Sequence, residues 1–213
     1  TVMLLIDVSG SLDFGTSGQL KRECATEIAA TLAFSAIQNN DKIGVIFFSD
    51  HIEKYIAPKK GRKHILYLIR EMLTFTPNSK RTDVGVSLEY LNKVMKRRCT
   101  AFVISDFYTR KDFSQELRIA NKKHDVVAIQ VYDPRAKEMP DVGLMKVVDA
   151  ETGHEMYIDT HDARLRKVHN KYWEEREIRL HEMLSQSHVD SVAIATDDDY
   201  VKMLMTLFSK RNR

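Results

Sequence analysis

Short apolar runs alternate with amphipathic stretches along almost the whole chain. Residues 2–6, 43–48, 101–105, 126–132 and 189–195 are nearly uninterrupted apolar segments. Runs of this length predict strands covered on both faces, as in a parallel sheet flanked by helices. Between them the period changes. From about 20 to 37, Cys24, Ile28, Leu32 and Ala36 recur every fourth position and predict a helix with one buried stripe. Asn39-Asn40-Asp41 ends it. Further helical faces are expected from Ile65, Leu66, Ile69 and Leu73, and from Val86, Tyr90, Leu91 and Val94. Phe113, Leu117 and Ala120 predict a short helix. A long charged one is expected over 163–184, with Leu165, Val168, Tyr172, Trp173, Leu180 and Leu184 on its packed side, and a last one through Phe208 to the basic end 210–213. Ser49-Asp50-His51 turns the strand 43–48 into another at 52–56, and so short a connection permits only antiparallel pairing. Residues 144–148 and 156–158 flank a Gly-containing turn and predict a β-hairpin. The expected fold is α/β: a doubly wound, mostly parallel central sheet with one antiparallel edge strand, plus a hairpin insertion over 140–160.

Composition narrows the functional classes. A chain of 213 residues suits one domain over 1–213. The balance of 33 basic and 30 acidic residues leaves a net charge of +3, too little for general nucleic-acid affinity. No apolar run approaches the roughly 20 residues that cross a bilayer. Only two cysteines, Cys24 and Cys99, occur. That is no disulfide framework and points to a reducing, cytoplasmic setting with both thiols buried. The chain opens at Thr1 directly in a strand, so an upstream part of a longer protein is expected to be missing.

The candidate chemistry lies where the apolar runs stop. Asp7-Val8-Ser9-Gly10-Ser11 follows the first, Thr82-Asp83 opens the helical run at 84, and Asp106 ends the run 101–105. Ligands of open α/β sheets gather beyond the carboxyl ends of strands. Three hydroxyls (Ser9, Ser11, Thr82) and two carboxylates (Asp7, Asp106) make a hard-oxygen set suited to Mg²⁺, or to Mn²⁺ or Ca²⁺. With so few anionic ligands the ion would stay electrophilic and would take a carboxylate from a partner protein. Each piece has a local reading too: Asp and Ser populate turns, and Thr82 suits a helix cap.

These residues resemble the metal-ion-dependent adhesion site of von Willebrand factor A-type domains. Phe14-Gly15, Asp41-Lys42-Ile43-Gly44, Pro58-Lys59-Lys60-Gly61, Ser105-Asp106-Phe107, Asp133-Pro134, Glu151-Thr152-Gly153 and the stretch 196–201 resemble a bacterial branch of that fold, the domain-of-unknown-function family numbered 58. The resemblance implies direct coordination by Ser9, Ser11 and Thr82, with Asp7 and Asp106 acting largely through water. Asp83 would support the loop or cap the helix. It also implies association with a MoxR-type AAA+ ATPase. An ion missing from the ligand-free protein would fit the same picture. Leu12 and Phe107 stand where that pattern often has methionine and glycine; neither removes an oxygen, and Phe107-Tyr108 would narrow the site or serve as a docking surface.

The competing readings are a metal-dependent phosphoryl-transfer enzyme and a structural domain with an unused site. A phosphoaspartyl enzyme would want a second acid two residues after its nucleophile, where Ser9 stands. No G-x-G-x-x-G, Walker A, H-E-x-x-H or G-x-S-x-G motif occurs. The eight histidines are expected at the surface or in turns. The basic stretch 59–64 reads as a solvated loop, and Asp197, Asp198 and Asp199 as helix-capping acids.

Overall fold

The computed structural model describes residues 1–16, 18–109 and 111–211. In chain order it runs β1 (Val2–Asp7), a 3-10 turn (Gly10–Asp13), α1 (Lys21–Gln38), β2 (Ile43–Phe48), β3 (Ile52–Lys59), α2 (Arg62–Thr74), α3 (Val84–Val94) and β4 (Thr100–Ser105). It continues with α4 (Ser114–Lys123), β5 (Asp125–Tyr132), the single turn α5 (Pro134–Lys137), β6 (Leu144–Val148), β7 (Glu155–Asp159), α6 (Ala163–Gln186), β8 (Asp190–Ala195) and α7 (Tyr200–Arg211). Of the basic end, Asn212 and Arg213 lie outside the described residues.

Six strands form one sheet in the order β3-β2-β1-β4-β5-β8. All neighbours are parallel except β2 and β3. The fold is therefore α/β and mostly parallel, with one antiparallel strand at its edge, as the patterning predicts. Strand alternation splits the core into two layers. Leu4, Ile6, Val45, Phe47, Phe102 and Ile104 point toward α1, α2 and α7. Met3, Leu5, Ile46, Phe48, Ala101 and Val103 point toward α3, α4 and α6. Gly44 sits at an irregularity of the β2–β3 pair, where a Cβ would lie 2.7 Å from the Ile56 carbonyl oxygen.

Several local expectations change. β3 continues through Pro58 to Lys59, because an edge strand tolerates a residue without an N–H. The basic stretch 59–64 is consequently divided between β3, a short link and the first turn of α2. The stripe of α2 is Ile65, Leu68 and Met72, while Leu66 and Leu73 are exposed. In α3, Val84, Leu88 and Leu91 are buried and Val86 is only half-buried. Only Leu180 and Leu184 of α6 are buried, and Val168 and Tyr172 face outward. His124 is fully buried, with Nδ1 3.4 Å from Cys99 Sγ. Asp199 caps α7, accepting from the Lys202 amide at 3.2 Å, whereas Asp198 accepts from the Ala195 amide at the end of β8 at 2.8 Å and closes the turn instead.

The hairpin β6–β7 forms its own two-stranded sheet. Its turn is built on Asp149, whose Oδ1 accepts from the Glu151 and Thr152 amides at 3.0 and 2.7 Å. The turn reaches the first loop of the sheet: a Cβ on Gly10 would come within 2.5 Å of the Ala150 carbonyl oxygen. Among the described residues no helix is long and apolar enough to cross a membrane.

Candidate metal centre

The chain starts in the middle of the sheet, goes outward through β2 and β3, then returns to lay β4 on the other side of β1. The strand order thus reverses between β1 and β4, where α/β sheets open a crevice at their carboxyl ends. Ile6 pairs with Ile104, which brings Asp7 beside Ser105. Ser105 Oγ donates to Asp7 Oδ2 at 2.5 Å, and the Ser9 amide donates to Asp7 Oδ1 at 2.9 Å. That second bond curls the loop after β1. Ser9 Oγ and Ser11 Oγ then lie 3.1 Å apart.

The loop before α3 is tied to the same place. The Gly10 amide donates to the Lys80 carbonyl at 3.0 Å, and the Asp83 amide to the Ser49 carbonyl at 2.9 Å. Thr109 Oγ1 donates to the Thr82 carbonyl at 3.2 Å. Thr82 is buried, and its Oγ1 has no hydrogen-bond partner. Asp83 caps α3, accepting from the Val86 amide at 3.4 Å, and pairs with Lys111 Nζ at 2.5 Å. Glu53 holds this loop from below. It accepts from Ser49 Oγ at 2.8 Å, from Asn78 Nδ2 at 2.8 Å, and from the Asn78 and Ser79 amides at 3.0 Å each.

Asp106 follows β4. Its Oδ2 accepts from Lys21 Nζ at 2.6 Å and its Oδ1 from the Tyr108 amide at 2.9 Å. Arg176 Nη2 donates to its carbonyl at 3.2 Å. Phe107 has φ 54, the left-handed conformation that a glycine would favour. Its ring is buried and stacks on Phe113 with centroids 6.1 Å apart. Phe107 is thus largely withdrawn into the core and shows only an edge, in the wall of the cleft between α4 and α6. The half-buried Tyr108 stacks on Trp173.

The two carboxylates are shifted in opposite directions. Burial, and secondly the facing Asp106, push Asp7 up to about 7 against the hydrogen bonds from Ser105 and Ser9. Burial would raise Asp106 too, but the Lys21 ammonium, the Tyr108 amide and Arg176 outweigh it and hold this carboxyl below the usual range.

All six residues singled out from sequence (Asp7, Ser9, Ser11, Thr82, Asp83 and Asp106) are buried. Asp7, Ser9 and Ser11 form one hydrogen-bonded cluster, with Asp106 acting on it electrostatically. Ser105, from the stretch Ser105-Asp106-Phe107, completes the surroundings together with Lys21, Arg176 and Glu53, which carry no motif. Among the described residues, no group of three or more His, Cys, Asp or Glu is placed to hold a metal ion. A set of three hydroxyls and two carboxylates is not such a group. The orphaned, buried Thr82 hydroxyl lies in the loop that Lys80 ties to Gly10, between the two serines whose hydroxyls bond each other, and such a donor set fits a hard cation.

The family model "Protein of unknown function DUF58" matches residues 1–178. An uncharacterized protein of Mycobacterium tuberculosis is 34% identical over 152 residues, covering 70% of this chain and 48% of that protein. The chain thus spans about half the length of the curated relatives it matches. Among solved structures, a conserved hypothetical protein BatB from Bacteroides thetaiotaomicron superposes with TM-score 0.66 at 16% identity, covering 98% of this chain and 97% of that one. An aerotolerance-related membrane protein from Bacteroides fragilis gives TM-score 0.66 at 14% identity, covering 98% of each chain. The SpRpn10 VWA domain gives 0.51 at 12% identity, covering 98% of this chain and 93% of that one. Sheet order, strand-end loops and family match agree, and the chain belongs to the DUF58 family, on a von Willebrand A-like fold.

Proposed function

We propose that this chain is a metal-dependent protein-binding module and not a catalyst, with residues 1–213 acting as one unit and the hairpin as an insertion in it. The observation that carries the reading is the Thr82 hydroxyl, buried without a partner in the loop that is bonded to Gly10. Ser9, Ser11 and Thr82 would hold Mg²⁺, or Mn²⁺ or Ca²⁺, directly. Asp7 and Asp106 would act through water, since donors already engage both oxygens of each. Such an ion, when bound, offers an electrophilic position to a carboxylate. Asp7 and Ser105 lock the loop geometry, and Glu53 fixes the segment that carries Thr82.

A cleft of about 640 Å³ opens beside the site between α4 and α6. Its lining includes Lys111, Arg118, Arg176 and Arg179 against Asp112 and Glu182, a balance that suits an acidic chain. The partner would therefore be a protein presenting an Asp or Glu. The family resemblance makes a MoxR-type AAA+ ATPase the candidate, with this chain as an adaptor in complex assembly or remodelling. Two free cysteines, both buried, suit the cytoplasm.

Titration with Mn²⁺, followed by loss of the free-ion paramagnetic resonance signal, tests the reading. One saturable site is expected, lost in Ser9→Ala. No uptake at millimolar ion would return the chain to a plain structural domain. Turnover of a phosphate ester would favour phosphoryl transfer instead.

A further inference from the structure

Two cations surround the carboxylate that should serve the ion. Lys21 and Asp106 form a 2.6 Å pair whose side chains are 7% and 6% exposed. The Phe14 ring lies 5.9 Å from Lys21 Nζ. On the other side, the Arg176 guanidinium reaches the Asp106 carbonyl and lies 4.7 Å from the centre of the Tyr108 ring. The other nearby acid, Asp83, already has Lys111.

Lys21 stands in a place that disfavours a cation twice. It is the first residue of α1, at the positive end of the helix dipole, and it is out of water. An ammonium is retained there only because Asp106 receives it. The consequence for the site is a charge count: Lys21 and Arg176 both sit on Asp106, while Asp7 is engaged by Ser105 and the Ser9 amide, so the cluster has no net negative charge to offer a divalent ion.

We infer that Lys21 is the residue that holds this site's cation affinity down, by occupying Asp106 with an internal positive charge, so that the ion depends on a partner's carboxylate for its neutralisation. The inference rests on the metal-site reading above and sharpens it: ion and acidic partner should bind cooperatively. A merely structural Lys21 would predict something different, namely that its loss lowers stability without tightening ion binding.

The experiment compares Mn²⁺ affinity, read by paramagnetic resonance, in the wild type, Lys21→Gln and Lys21→Arg, with folding checked by circular dichroism. Gln keeps an N–H donor for Asp106 and removes the charge; Arg keeps the charge. Removing a like charge this close should tighten Mn²⁺ binding about ten-fold or more in Lys21→Gln, while Lys21→Arg stays near the wild type. Adding Thr82→Val to Lys21→Gln should abolish the gain. Equal or weaker binding in Lys21→Gln, with the wild type still taking up one ion, overturns the inference and leaves the metal site standing. No uptake by any variant removes both. Should Lys21→Gln fail to fold, Arg176→Gln removes the second cation, with the same expected direction and the same contradicting result.

Discussion

Thr82 says more about this molecule than either aspartate does. A buried hydroxyl with no partner costs about 1–3 kcal/mol in desolvation, and nothing in the fold compensates it. Thr82→Val should therefore leave thermal stability unchanged or raise it by up to about 1 kcal/mol, while Mn²⁺ uptake disappears. A loss of stability together with retained uptake would show that the hydroxyl serves the fold and not the ion. Phe107 makes a complementary point. Its left-handed backbone costs about 1–2 kcal/mol in a residue with a Cβ, and burial of the ring against Phe113 offsets it. The glycine often found there and the phenylalanine present here thus answer to one backbone shape. Asp7, Ser9, Ser11, Thr82 and Asp106 were legible because each stands at the edge of an apolar run, where polar oxygens announce themselves. Lys21 was not: in sequence it is one more charge at a helix start, 85 positions from Asp106. The reach of a long side chain across loops leaves no local pattern.

At the scale of elements, the strands and helices followed from apolar periodicity, but two helix faces did not. In α2, both Leu66 and Leu68 fit a helical stripe, and only contact with the sheet selects Leu68. In α6, aromatic residues suggested packing along its length, whereas burial is confined to Leu180 and Leu184 near its end. The segment carrying Thr82 depends on a carboxylate outside itself. Burial alone would raise the Glu53 pKa, yet its bonds from Ser49, Asn78 and Ser79 bring it below the ordinary 4.5. The sign follows directly. Glu53 binds its proton less readily folded than unfolded, so its stabilisation is complete above pH 4.5 and is lost as pH falls through the lower folded value. Amide exchange at Asn78 and Ser79 should accelerate in that acid range before the strands open. Glu53→Gln should loosen the same amides already at neutral pH and flatten the acid response. Amides that stay protected through the transition would contradict this role.

For the whole molecule, the decisive feature is the reversal of strand order between β1 and β4. It places two strand ends side by side, and the loops before α3 and after β4 close over them. Family membership and the likeness to BatB agree with that architecture. The hairpin turn lying against Gly10 adds a feature whose presence was legible but whose seat was not, since no local pattern says where an insertion folds back. The account stands on one position in space. Crystals soaked in millimolar Mn²⁺ should give a single anomalous peak about 2.1 Å from Ser9 Oγ, Ser11 Oγ and Thr82 Oγ1. A crevice without a peak, or a peak held by other residues, would contradict it.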